Sequence, residues 1–150
     1  VMATTQAALA EMALRNRGSI VDTASIGGLL AGFRGTLYGA AKAGVIGLTR
    51  YIASQYGKLG IRCNAVAPGL VLTPASTRSL PENVRSVFRK YNAVDYLGQA
   101  ADIAATIAFL ASDDAHYVTG QTITADGGMD SHNPTVAELA GLSETALREA

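Results

Sequence analysis

Three short runs with the composition of buried strands, SIVDTAS at 19–25, IRCNAVA at 61–67 and QTITADGG at 121–128, are separated by helical segments. No other feature constrains the fold as much. Strands that follow one another through helices lie parallel, joined by right-handed crossovers, and the sheet between them carries helices on its faces. The expected class is α/β, open and doubly wound. The helical segments are VMATTQAALAEMALRN at the start, about 37–56, PENVRSVFRKY, AADIAATIAFLAS, and one in the tail NPTVAELAGLSETALREA, capped there by Ser143 with Glu144 beside it. Punctuation fits: Gly18 stops the first helix, Gly57 or Gly60 takes the left-handed cap of the second, and Pro68-Gly69 ends the middle strand. IGGLLAGFRG is a glycine-rich loop. Residues 70–97 form a long polar connection, of the kind used for lids and binding loops, holding one helix with Pro81 in its first turn.

At 150 residues and 49% hydrophobic content, the chain suits one domain with a continuous core. Twelve basic residues balance twelve acidic ones, so no positive field is available to hold nucleic acid. A single cysteine, Cys63, excludes an intrachain disulfide, and His116 and His132 stand too far apart for zinc-ligand spacing. No apolar run approaches the roughly 18 residues of a membrane span, and the start lacks the order of a signal peptide. The expectation is a cytoplasmic protein with no metal, no nucleic acid and no membrane among its partners.

In an open α/β sheet, ligands sit in the crevice beyond the carboxyl ends of the strands. Three features fall there: Ser25 after the first strand, the Pro68-Gly69 turn after the second, and Tyr38 with Lys42 on one face of the intervening helix. A tyrosine hydroxyl ordinarily titrates near 10, so proton exchange at neutral pH requires a cation to favour its anion. Lys42, one turn away, is such a cation. A serine hydroxyl can hold a carbonyl or alcohol oxygen without being attacked. The trio is equipment for proton transfer to an oxygen. Taken singly, each signal is ordinary: strand-end serines are usually turn residues, and Tyr/Lys pairs at this spacing are common on helices.

Taken in order, TASIGGLLAGFRGTLYGAAKAG, IRCNAVAPGLVLT and DIAATIAFLASDDAHYVTGQTITADGG closely resemble the short-chain dehydrogenase/reductase family, in the style of oxoacyl-carrier-protein reductases and hydroxysteroid dehydrogenases. The resemblance runs over residues 1–129, with 130–150 a tail. It implies the C-terminal part of a Rossmann-like domain that interconverts an alcohol and a ketone with NAD or NADP. Under it, Ser25 orients the substrate oxygen, Tyr38 is the general acid/base, and Lys42 supports the tyrosine and binds the nicotinamide ribose. Thr23, Pro68, Gly69, Val71 and Thr73 are then cofactor-binding. Relatives dimerise through the helices matching 1–15 and 38–56, so a homodimer or homotetramer is implied. Those helices are also apolar on more than one face.

The resemblance implies substrate walls at 26–36 and 70–97, apolar through Leu29, Leu30, Phe33, Leu70 and Leu72. Arg78, Arg85, Arg89 and Lys90 fit a solvated helix face better than an anion site. Asp22 stands where the family usually has Asn, and DYLGQ where an Arg is common. The family's TGxxxGxG turn and its pyrophosphate-binding helix are not in the sequence. The expectation is therefore the C-terminal portion of a longer enzyme lacking roughly a hundred residues. The alternative is an inactive fragment or pseudoenzyme acting as an interaction module.

Overall fold

The computed structural model describes residues 1–31 and 35–149, with side chains described to residue 142. Helix α1 (Met2–Arg15) leads into β1 (Gly18–Thr23) and a single turn of 3-10 helix at Ile26–Gly28. Helix α2 (Thr36–Tyr56) leads to β2 (Ile61–Pro68). The connection after it holds β3 (Val71–Leu72), α3 (Pro74–Ser79), α4 (Glu82–Tyr91) and β4 (Gly98–Gln99). Then come α5 (Ala100–Ala111), β5 (Thr122–Ala125) and α6 (Thr135–Glu149). The sheet has the order β1-β2-β5, all parallel, with Gly18 level with Ile61 and Ala65 level with Thr122. The α/β class and the parallel sheet are as expected from the alternation.

Period-two alternation in β2 explains how both faces of the sheet are covered. Ile61, Cys63, Ala65 and Ala67 point to one side, where they pack with Leu9 of α1 and Ile46, Ile52 and Ala53 of α2. Val66 points to the other, against Leu110 of α5 and Ala115. The two alanines let α2 lie close to the strand, and each fully buried Leu or Ile contributes about 1.5–3 kcal/mol. Buried polar groups in β2 are paired. Asn64 donates to the Val118 carbonyl at 2.8 Å and accepts the Gln121 N–H at 3.0 Å, which fixes the approach to β5. Arg62 donates to the carbonyls of Leu110, Ser112 and Val118 at 2.8, 2.8 and 3.4 Å, closing the C-terminus of α5.

Several sequence expectations need correction. The connection over 70–97 contains two helices and the short strand β3, not one helix alone, and β3 pairs in parallel with β4 just beyond it. Helix α3 is missed because it is six residues long; Thr73 and Ser76 cap it reciprocally, and Pro74 occupies its first position. Between the two candidates for the left-handed cap after α2, the geometry selects Gly60 at φ 71°, whereas Gly57 stays right-handed and starts a 3-10 turn. Ser143 is not a cap: the tail helix begins eight residues earlier, where the Asn133 side chain accepts the Thr135 N–H at 3.1 Å. Phe33 lies outside the described residues.

Cys63 is fully buried, as its place in a central strand implies. Its Sγ lies 3.8 Å from Asp22 Oδ2, which also accepts a bond from Thr49 Oγ1 at 3.3 Å. Burial, then the Asp22 charge, pushes the Cys63 thiol up to about 12. Burial also raises the Asp22 carboxyl above its ordinary value, against the lowering effect of the bonds from Thr49 and Cys63. A carboxyl raised on folding binds its proton more tightly folded than unfolded, so stability falls as pH rises through the folded-state value. Asp22→Asn should remove that slope and stabilise the chain at neutral pH by about 1 kcal/mol. Urea unfolding at about pH 4 and about pH 8 checks it; a variant no more stable at the higher pH would contradict the assignment.

Candidate functional site

Ser25 follows β1 in extended conformation and caps the 3-10 turn, its Oγ accepting the Gly27 N–H at 3.1 Å. That bond occupies an acceptor site of the hydroxyl and leaves its proton free to donate. The hydroxyl is therefore aimed by its own turn.

Tyr38 is in the first turn of α2 and is 54% exposed, while Lys42 lies one turn further on. Lys42 Nζ sits 5.7 Å from the centre of the Tyr38 ring and donates to the Thr23 carbonyl at 2.8 Å. One of its three protons is spent on β1, which anchors the ammonium beside the tyrosine, and two remain. The ring of Tyr38 and the hydroxyl of Ser25 both come close to Gly27: a Cβ placed there would be 3.4 Å from Tyr38 Cε1 and 3.5 Å from Ser25 Oγ.

These groups open on one cavity of about 530 Å³ at the carboxyl ends of β1 and β2. Thr23, Ser25, Tyr38, Lys42, Pro68, Gly69 and Val71 all line it, so every candidate residue but Thr73 is brought to one place. Thr73 Oγ1 instead accepts the Ser76 N–H at 3.1 Å as the cap of α3. Sequence reasoning missed the far wall, Ile103, Ala104 and Ile107 of α5. The apolar spacing of α5 was visible, but which part of its face meets the crevice depends on how the helix crosses the sheet.

A second cavity of about 370 Å³ lies on the other side of Tyr38, lined by Leu29 and Leu30 with Gly27, Gly28 and Gly39. Tyr38 thus stands between a cleft over the strand ends and an apolar recess. The basic side chains of α4 are occupied elsewhere. Arg85 and Arg89 pair with Glu82 at 2.8 and 3.7 Å, and Lys90 pairs with Glu138 of α6 at 2.8 Å. Arg89 and Lys90 stay about half exposed, as expected of a solvated face, whereas the Arg85 side chain is only 21% exposed and its Nε is buried without a hydrogen-bond partner among the described residues.

A family model described as Enoyl-(Acyl carrier protein) reductase matches residues 1–130. Over 125 residues the chain is 61% identical to the 7alpha-hydroxysteroid dehydrogenase of Bacteroides fragilis, covering 83% of this chain and 48% of that protein. Among solved structures, the 3-oxoacyl-[acyl-carrier protein] reductase of Brucella melitensis superposes with a TM-score of 0.81 at 35% identity, over 86% of this chain and 48% of that one. The gluconate 5-dehydrogenase of Burkholderia cenocepacia, solved in complex with NADP and tartrate, also gives 0.81, at 29% identity over 85% and 51%. The chain spans about half the length of the curated relatives it matches.

Proposed function

From the premise that this chain belongs to the short-chain dehydrogenase/reductase family, we propose that it forms the catalytic portion of an oxidoreductase interconverting a secondary alcohol and a ketone with NAD or NADP. The observation that carries the proposal is the convergence of Ser25, Tyr38 and Lys42 on one cleft floored by Pro68 to Val71. The donor set suits the nicotinamide end of such a cofactor. Two Lys42 protons are free for ribose hydroxyls, Thr23 lines the same wall, and the backbone at Gly69 to Val71 borders the place for the carboxamide. When bound there, the cofactor supplies or accepts the hydride.

The chain's own groups handle the proton. Ser25 donates to the substrate oxygen, holding the carbonyl against the tyrosine. Tyr38 gives its proton to that oxygen in reduction and removes it in oxidation. Lys42, fixed by Thr23, stabilises the tyrosine anion that results. The apolar recess at Leu29 and Leu30 takes the body of the substrate, which favours an apolar ketone.

The 61% identity to a hydroxysteroid dehydrogenase makes a 7α-hydroxysteroid the first probe, with a 3-oxoacyl thioester as the second. The described residues furnish the nicotinamide end of the cleft. The assay therefore uses them within a chain that also carries a glycine-rich pyrophosphate-binding βαβ unit. Substrate-dependent change in nicotinamide absorbance is the expected result. No turnover with either cofactor across a panel of secondary alcohols and ketones would favour the inactive interaction module instead.

Self-association through α1 and α2 belongs to the same proposal. The faces of these helices turned away from the sheet leave Leu14, Leu37 and Tyr51 at 80%, 86% and 70% exposure, and a Cβ at Gly44 or Gly47 would meet nothing within 4 Å. A second copy laid against these helices would cover them. Light scattering should give a dimer or tetramer, and Tyr51→Glu should shift it toward monomer.

A further inference from the structure

We propose that Gly28 is a positioning residue that sets the distance between the Ser25 hydroxyl and the Tyr38–Lys42 face, so that the turn after β1 and the first turns of α2 act as one unit. The inference rests on the proton-transfer reading of the site. A Cβ at Gly28 would lie 2.7 Å from the Lys42 carbonyl carbon, 2.8 Å from the Ala43 nitrogen and 3.0 Å from the Lys42 oxygen. All three are helix backbone and cannot yield, so any side chain here lifts the turn off α2. The contact is reciprocal, since a Cβ on Gly39 would come within 3.0 Å of the Gly27 oxygen. Two bare stretches of backbone, 27–28 and the first turns of α2, therefore meet face to face.

The turn has little freedom to absorb a displacement elsewhere. The Gly28 N–H donates to the Ser25 carbonyl at 2.9 Å, and the Gly27 N–H to the Ser25 hydroxyl at 3.1 Å. Moving Gly28 away from α2 carries the Ser25 hydroxyl with it. Tyr38 and Lys42 share one helix and keep their mutual geometry. The loss falls on the relation between serine and tyrosine, where a shift of about 1 Å can cost on the order of 100-fold in rate.

The test is a double-mutant cycle on kcat in the active, cofactor-binding chain. Gly28→Ala should lower kcat about 100-fold, with the KM for nicotinamide cofactor within about threefold of wild type. In a Ser25→Ala background the same substitution should cost less than about threefold, because there is no hydroxyl left to misplace. A Gly28→Ala enzyme within threefold of wild type would overturn the proposal, as would an equal loss in the serine-free background. Should Gly28→Ala not fold, Gly39→Ala decides the matter through its milder 3.0 Å contact: an approximately tenfold loss that vanishes with Ser25→Ala supports the proposal, and a loss that persists overturns it. Full activity in Tyr38→Phe would instead sink the underlying reading, so the two failures are distinguishable.

Discussion

Replacing Tyr38 by phenylalanine should reduce turnover by roughly 10³-fold, the scale of a lost general acid/base, while leaving the fold intact. The hydroxyl makes no hydrogen bond to another described side chain, and the residue is more than half exposed, so its removal leaves no buried group unpaired. The ring also keeps its place beside Lys42, with the ammonium still bonded to the Thr23 carbonyl. Cofactor affinity should therefore stay within about threefold, and the unfolding midpoint should not move. Steady-state kinetics paired with cofactor titration separates the two quantities. A variant that loses cofactor binding and rate together would assign Tyr38 to binding, and one that keeps its rate would remove it from the chemistry.

The largest stability loss is expected at a residue that touches no ligand. Arg62→Met should destabilise the chain by about 3 kcal/mol, because one guanidinium satisfies three carbonyls where α5 ends and the chain turns toward β5. Hydrogen bonds from a charged donor are each worth about 1.5–3 kcal/mol, and the loss of the donor strands the helix-end acceptors. Methionine keeps most of the apolar stem, so the loss isolates the guanidinium. Lysine should recover only part of it, since an ammonium cannot span the Leu110, Ser112 and Val118 oxygens in the plane of a guanidinium fork. Urea unfolding of the two variants measures the difference. Arg62→Met with unchanged stability would mean that water replaces the guanidinium without cost.

The strand alternation was legible because it is local: β-branched runs of seven or eight residues bounded by glycine or proline leave few other options. The trio was legible for a different reason, since Ser25, Tyr38 and Lys42 sit at strand or helix ends that an α/β sheet must bring together. Three kinds of feature were hidden. Arg62 is visible in its strand, but its role depends on carbonyls about fifty residues away. The two-residue strands β3 and β4 pair only because the chain returns to itself after α4, which no short window contains. The glycines at 27, 28 and 39 looked like loop and small-residue helix composition. Their importance is steric and appears only once the turn lies against α2.

Asp22 shows how one residue of β1 acquires a physical cost. This chain buries a carboxyl against Thr49 and Cys63, at a cost that depends on pH. The same pocket makes the Cys63 thiol inert, so thiol reagents at about pH 8 should modify it only at the rate of unfolding.

Isotope transfer follows the hydride itself through the cleft. A nicotinamide cofactor deuterated at its transferable position is incubated with the enzyme and a ketone, and the alcohol product is analysed by mass spectrometry. Hydride transfer in the cleft of Ser25, Tyr38 and Lys42 predicts one deuterium on the carbinol carbon, formed by the wild-type chain and suppressed in Tyr38→Phe. Alcohol formed without deuterium, or label transferred equally by both proteins, would contradict it.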